Sequence, residues 1–265
     1  MSDTRPIGIF DSGIGGLTVV REVQKILPNE EIVYFGDTAR VPYGTKSKET
    51  VTRFSVENVE FLMKHNVKLI IVACNTVSSL SLDFLKRCFR VPIIGVIEPG
   101  AKRASSSTRN NRVGVIGTRA TISSGAYERS IRNISPKIIS FGQSCPLFVP
   151  LVEEGWIDED VTRDIASVYL EPLKKKNIDT LVLGCTHYPL LKRAIGDVMG
   201  GRVLLVDSAK EVAKEAMQIM DANGMLNKRR GNRIHKFFVS DEPAHFIKIG
   251  RQFLNKRINC VKRIS

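Results

Sequence analysis

Apolar runs alternate with amphipathic stretches along the first hundred residues of the chain. Each apolar run is as long as a buried strand and ends near Gly, Asp, Ser, Asn or Thr, and the stretches between them carry apolar residues at helical spacing. Continuous apolar strands that alternate with helices are typical of a parallel sheet covered by helices on both faces. The pattern predicts an α/β fold with strands at 7–10, 31–35, 69–73 and 93–97 and helices at 17–27, 47–65 and 77–88.

The same series of strand-like segments begins again about 106 residues later. Residues 112–118 match 6–12, and residues 181–186 match 70–75. Solenoid repeats have periods of only ~20–50 residues, so a repeat of this length predicts two similar domains instead. The last segment has no counterpart and is too short to be a third domain. We therefore expect a discontinuous first domain, residues 1–98 plus 208–265, and a second domain, residues 99–207.

Polar residues stand where the predicted strands end. In an open parallel sheet the functional site lies beyond the carboxyl ends of the strands. Two pseudo-symmetric domains would bring these ends face to face across a cleft, with one cysteine presented from each side. The residues at these ends are Asp11, Ser12, Cys74, Asn75, Thr118, Cys185 and Thr186.

Two of the five cysteines occupy matching positions in the repeat. A free cysteine is most often a small buried hydrophobe, but Cys74 and Cys185 both follow a strand and precede residues that suit a helix N-cap. A helix start is expected to lower the pKa of a thiol, which favours reactive thiols here. We interpret Cys88, Cys145 and Cys260 as structural. The absence of CxxC pairs and of regular spacing disfavours a disulfide scaffold or a metal site.

Other polar residues allow two interpretations each when they are taken alone. Asp11 can be interpreted as a turn residue or as a carboxylate that points into the cleft. The glycines after it do not form a dinucleotide-binding pattern. His187 suits a buried core position or a general base beside Cys185. Taken alone, Glu153 is interpreted as part of a solvated loop, and Tyr43 with Gly44 is interpreted as a simple turn.

Charge is concentrated at the end of the chain. The 40 Lys and Arg outnumber the 27 Asp and Glu, and residues 228–265 hold 11 of the basic residues against only Asp241 and Glu242. Such a segment suggests an anionic partner, but its interleaved apolar residues favour a folded amphipathic element with a basic face. The longest apolar run, 69–74, is far shorter than the ~20 residues of a membrane helix. Without a signal-peptide pattern either, we expect a cytoplasmic protein.

Five motifs together resemble those of the glutamate racemases, in the same order along the chain. They lie at residues 8–16, 36–44, 73–76, 96–99 and 184–190, and the resemblance spans residues 7–208. It implies an enzyme that interconverts L- and D-glutamate without a cofactor and supplies D-glutamate for peptidoglycan. It also implies a homodimer with two α/β domains and the site between them. The basic segment is not typical of that family.

The resemblance also implies roles for individual residues. Cys74 and Cys185 would be the acid and base thiols, assisted by Asp11, Glu153 and His187. The positions that match substrate-binding residues are Asp11, Ser12, Tyr43, Gly44, Asn75, Thr76, Thr118, Thr121, Thr186 and His187.

Three alternative functions remain open at this point. A racemase of aspartate or of another amino acid would use the same paired cysteines. A nucleic-acid-binding α/β protein is suggested by charge alone, and we do not expect nucleic acid as a partner. A thiol-redox protein is disfavoured, because 111 residues separate Cys74 from Cys185 without a CxxC motif.

Overall fold

The computed structural model describes residues 2–229, 231, 233–258 and 260–264. Residues 230, 232, 259 and 265 of the basic segment lie outside the described residues. The strands are β1 (Ile7–Asp11), β2 (Ile32–Gly36), β3 (Leu69–Val72), β4 (Ile93–Gly95), β5 (Arg112–Gly117), β6 (Ile139–Ser144), β7 (Thr180–Gly184), β8 (Leu204–Asp207), β9 (Lys236–Val239) and β10 (Val261–Arg263).

Helices fill the connections between the strands. They are α1 (Leu17–Ile26), α2 (Lys48–Met63), α3 (Asn75–Leu80), α4 (Leu82–Cys88), α5 (Ile97–Ser107), α6 (Arg119–Ser123), α7 (Ala126–Ile134), α8 (Phe148–Glu153), α9 (Asp160–Lys174), α10 (Lys192–Met199), α11 (Ser208–Ala222) and α12 (Pro243–Leu254). Short 3-10 turns cover Thr38–Arg40, Tyr43–Thr45 and Tyr188–Leu191.

The strands form two separate sheets in which every pairing is parallel. The first sheet has the order β10-β9-β2-β1-β3-β4, and the second has the order β6-β5-β7-β8. The order β2-β1-β3-β4 within the first sheet therefore recurs as β6-β5-β7-β8 in the second. This confirms the predicted α/β fold with two pseudo-symmetric parallel sheets.

A continuous apolar core joins the two halves of the molecule. Strands β1 and β3 are buried along their whole length, as expected for central strands covered on both faces. One cluster of buried residues includes Ile9 of β1, Leu183 of β7 and Ala213 of α11. The loops at the carboxyl ends of the two sheets are therefore carried on one packed body.

The basic C-terminal segment is folded into the first sheet. Strand β9 pairs with β2, and β10 pairs with β9. Helix α12 buries Phe246, Ile249 and Phe253 and leaves basic residues exposed, as the amphipathic pattern predicts. The exact domain boundaries at residues 98 and 207 stay a prediction.

Two differences from the predicted elements have a visible structural cause, and the other predicted elements differ by at most two residues at either end. The helix predicted at 77–88 is divided into α3 and α4 at Ser81, whose φ of −128° leaves the helical region and whose hydroxyl lies 2.8 Å from that of Thr52. The strand predicted at 93–97 ends at Gly95, because α5 already begins at Ile97. No helix in the described part of the chain is both long enough and apolar enough to cross a bilayer.

Candidate active site

A cavity of about 310 Å³ lies between loops that follow strands of both sheets. Eleven of the residues proposed from the sequence line it: Ser12, Tyr43, Gly44, Cys74, Asn75, Thr76, Thr118, Glu153, Cys185, Thr186 and His187. Asp11 and Thr121 do not line it. Eight further lining residues were not proposed from the sequence: Gly13, Val41, Pro42, Thr45, Arg119, Pro146, Val149 and Pro150. Gly13, Val41 and Pro42 lie within the motifs at 8–16 and 36–44, whereas the other five lie outside every motif.

Cys74 forms the wall that belongs to the first sheet. It is the N-cap residue of α3, two residues after the end of β3, and its thiol donates a hydrogen bond to the Ser12 hydroxyl at 3.4 Å. Burial and the nearby Asp11 carboxylate raise the pKa of Cys74 to about 12. This direction is opposite to the lowering expected from the helix start, because α3 has only six residues and desolvation outweighs its dipole.

Asp11 lies behind this wall. Its side chain is fully buried, and one carboxylate oxygen accepts a hydrogen bond from the Gly13 N–H at 3.1 Å. The other oxygen has no partner among the residues described. Burial raises the pKa of Asp11, against the lowering effect of the His187 charge. Asp11 therefore binds a proton more readily than an exposed aspartate does, and its charge acts directly on the buried Cys74 thiol.

Cys185 forms the opposite wall together with His187 and Glu153. The Sγ of Cys185 lies 3.9 Å from Nδ1 of His187, and Nε2 of His187 lies 2.9 Å from Oε1 of Glu153. Burial lowers the pKa of His187, but the hydrogen bonds to Cys185 and Glu153 outweigh it and raise the pKa to about 10. For Glu153, burial raises the pKa, and His187 brings it below its ordinary value. The His187–Glu153 pair is therefore ionised at neutral pH.

The loop between β1 and α1 and the first turn of α1 pack directly against the Cys185 wall. The Thr18 hydroxyl donates to the Thr186 carbonyl at 3.1 Å. A Cβ on Gly15 would lie 2.2 Å from Oγ1 of Thr186 and 2.5 Å from Nδ1 of His187. Only glycine allows this approach, so Gly15 determines how closely the Thr186 and His187 side chains pack against this loop.

Polar groups suited to a carboxylate line the rest of the cavity. The Asn75 Oδ1 accepts a hydrogen bond from the Tyr127 hydroxyl at 2.7 Å, which leaves the buried amide nitrogen of Asn75 without a partner in the described residues. The hydroxyls of Thr76 and Thr118 lie 3.0 Å apart, and Thr121 supports them from behind at 3.5 and 3.0 Å. Free donors at this point can bind a carboxylate oxygen.

The turn after β2 closes another side of the cavity. The Tyr43 hydroxyl is already engaged, since it donates to the buried Asp37 carboxylate, so its phenol oxygen supports the turn. A Cβ on Gly44 would lie 2.7 Å from Cβ of Thr118, which brings this turn against the second half of the molecule. Within the described ranges, no group of three or more His, Cys, Asp or Glu is arranged to hold a metal ion.

Comparisons with known proteins give a consistent result. A model of the Asp/Glu/Hydantoin racemase family matches residues 16–216. The curated glutamate racemase of Geobacter metallireducens is 52% identical over 261 residues, which cover 98% of this chain and 97% of that protein. Two solved structures also superpose on nearly the whole chain. The glutamate racemase of Francisella tularensis in complex with D-glutamate gives a TM-score of 0.93 at 40% identity, with 99% of this chain and 98% of that chain covered. Glutamate racemase isoform RacE1 of Bacillus anthracis gives 0.95 at 39% identity, with 98% and 97% covered.

Proposed function

The chain belongs to the Asp/Glu/Hydantoin racemase family and, within it, to the glutamate racemases, and from this premise we propose a mechanism with two cysteine acid/bases. One observation supports it above the others. The cavity presents Cys74 from the first half of the chain and Cys185 from the second, each with its own ionisable neighbours.

Inversion at the Cα of glutamate needs two proton-transferring groups on opposite faces. In one direction the thiolate of Cys74 takes the Cα proton, and the electron pair of the broken C–H bond stays on the substrate. The S–H bond of Cys185 then breaks, and its proton forms the new C–H bond on the other face. In the reverse direction the two thiols exchange roles.

The neighbours of each thiol return it to the required protonation state. With its raised pKa, Cys74 holds a proton at neutral pH. We propose that Ser12, which accepts the thiol hydrogen bond, and the nearby Asp11 take that proton when the thiolate is needed. The ammonium group of the substrate brings a positive charge that favours the thiolate form. On the other wall, His187 and Glu153 are placed to exchange a proton with Cys185.

The negative charge that develops on the substrate needs fixed hydrogen-bond donors. The carbanion next to a carboxylate is shared with the carboxylate oxygens, so donors aimed at those oxygens lower the barrier. Asn75, Thr76 and Thr186 line the cavity, and the amide nitrogen of Asn75 has no other partner among the described residues, which supports their role as these donors. We propose that these residues do this without a cofactor to accept the electron pair.

The test is exchange of the Cα proton with solvent, followed by proton NMR of D-glutamate in D₂O while circular dichroism reports racemisation. We expect the wild-type protein to lose the Cα signal and the dichroism together. Cys74→Ala and Cys185→Ala should each lose at least about 100-fold in rate, as expected for a general acid or base. Cys88→Ala is the matched control, because Cys88 is exposed and outside the cavity wall. Full activity in either cavity variant would refute the two-thiol mechanism.

Aspartate is the alternative substrate, and the same assay distinguishes it. Identity of 52% over nearly the whole chain to a glutamate racemase favours glutamate. Exchange with aspartate and none with glutamate would keep the two-thiol chemistry and replace the proposed substrate.

The biological role and assembly follow from the resemblance alone. We propose that the protein supplies D-glutamate for peptidoglycan in the cytoplasm and acts as a homodimer. Growth of a D-glutamate-requiring bacterial strain on a plasmid that carries the chain would support the role, and no growth would oppose it. Sedimentation equilibrium at assay concentration measures the assembly directly.

A further inference from the structure

The C-terminal helix α12 reaches the Cys185 wall of the cavity. Phe253, near the end of α12, is fully buried, and its ring packs edge-on against the ring of His187. The two ring centroids are 5.2 Å apart, and the ring planes are at 86°. An edge-to-face arrangement at this distance is a favourable aromatic contact. A residue of the basic segment therefore touches a group of the site.

The polar contacts of His187 alone do not fix its ring. Nε2 has a hydrogen bond to Glu153 at 2.9 Å, but Nδ1 has only two long contacts, at 3.9 Å from the Cys185 sulfur and at 3.4 Å from the Thr186 hydroxyl, each near the limit for a hydrogen bond. The Glu153 side chain is itself 35% exposed and can move with solvent. Rotation of the imidazole about the Nε2 contact would carry Nδ1 away from Cys185. A rigid, fully buried aromatic neighbour packed at 86° to the imidazole opposes that rotation.

We propose that Phe253 is a positioning residue that holds the His187 imidazole in the plane in which Nδ1 faces Cys185. The inference rests on the proposed function, since it concerns the proton exchange between His187 and Cys185. It gives the C-terminal segment a part in catalysis, although none of its residues lines the cavity among those the structure describes.

Several other titratable groups surround His187, so the pH profile of one variant alone does not report on His187, and profiles are compared between variants. Cys185 and Glu153 are in contact with the ring, and the charge of His187 lowers the pKa of Asp11 in the first half of the chain. From α12 itself, the charge of His245 acts on Glu153. All four groups are left in place when Phe253 is changed.

The experiment uses Phe253→Leu, which keeps an apolar side chain and removes the ring. We expect kcat to fall about tenfold or more with KM changed less than about twofold, because a catalytic group displaced by 1 Å can cost about 100-fold. The nitrogen resonances of the His187 ring should move, and the pH profile of kcat should shift with them. Only four histidines occur in the chain, so the NMR spectrum of the imidazole nitrogens can be resolved ring by ring.

The matched control is Phe238→Leu. Phe238 belongs to the same C-terminal segment and packs on another histidine, His65, with ring centroids 4.8 Å apart. Neither residue lines the cavity. We expect this variant to move the His65 resonances and to leave kcat and the His187 resonances as in the wild type.

The outcomes separate this inference from the proposed function. One outcome overturns the inference and leaves the proposed function standing: Phe253→Leu keeps the wild-type kcat, pH profile and His187 resonances, while Cys185→Ala is inactive. Activity in Cys185→Ala would overturn both. If Phe253→Leu does not fold, the nuclear Overhauser contact between the rings of Phe253 and His187 in the wild-type protein decides: its presence supports the inference, and its absence overturns it.

Discussion

Adding a single methyl group at Gly15 should disable the enzyme from outside the cavity. In Gly15→Ala, the new Cβ would lie 2.2 Å from Oγ1 of Thr186 and 2.5 Å from Nδ1 of His187, whereas ordinary contact begins at 3.4 Å. Both side chains must therefore retreat by about 1 Å. Overpacking of this kind costs about 1–3 kcal/mol in the free energy of unfolding. The same displacement of His187 from Cys185 should lower kcat about 100-fold.

The assay combines racemisation by circular dichroism with urea unfolding of the same sample. The control is Gly201→Ala, because Gly201 has open space around its Cβ position and no positive φ. Gly201→Ala should keep wild-type activity, and its free energy of unfolding should lie within about 0.5 kcal/mol of that of the wild type. Wild-type kcat in Gly15→Ala would show that the Thr186 and His187 side chains are not held where the structure places them, and would refute the argument.

Three further predictions concern stability, pH and thiol reactivity. Lys68 is fully buried, with its ammonium 2.6 Å from the Glu30 carboxylate and 2.7 and 2.8 Å from the carbonyls of Asp3 and Met225. Lys68→Met leaves the buried Glu30 carboxylate without its counter-charge and with the Asn227 N–H as a hydrogen-bond donor, so urea unfolding should show a loss of about 3–5 kcal/mol; a loss under 1 kcal/mol would contradict this. His187 binds its proton more tightly in the folded protein, with a pKa of about 10 against an ordinary 6.5. Its contribution to stability is full below pH 6.5 and disappears as pH rises to about 10, so His187→Gln should flatten the decline of unfolding free energy over that range. Cys74 is buried with a pKa of about 12, and Cys88 is exposed. Iodoacetamide at pH 8 should therefore alkylate Cys88 before Cys74, as peptide mass spectrometry will show, and the reverse order would contradict the raised pKa.

The fold could be predicted from the sequence because its central strands are long apolar runs. Strands β1 and β3 are buried on both faces, so their sequences contain no polar interruption, and their repetition in β5 and β7 indicates the second sheet. Strand β9 was not predicted. It is a short strand that begins with an exposed lysine inside a basic segment, and its place beside β2 depends on tertiary packing.

The site could be predicted only where its residues belong to motifs. Cys74 and Cys185 stand at matching strand ends, and both line the cavity. Pro146 and Val149 line it too, but they follow β6 in a stretch without a recognisable chemical pattern. The pKa of Cys74 is raised first by the burial of the thiol itself and then by the Asp11 charge beside it, and both are three-dimensional properties.

The pairing of β2 with β9 has a consequence for the order of events during synthesis. Val33 of β2 is paired with Lys236 of β9, so roughly 200 residues leave the ribosome between the two partners. At about 5–20 residues per second, the nascent chain carries the open edge of β2 for ~10–40 s. An open strand edge is a template for pairing with other chains. The growing polypeptide is thus most exposed to aggregation before β9 emerges, and a ribosome that stalls there would release an aggregation-prone chain that lacks Phe253.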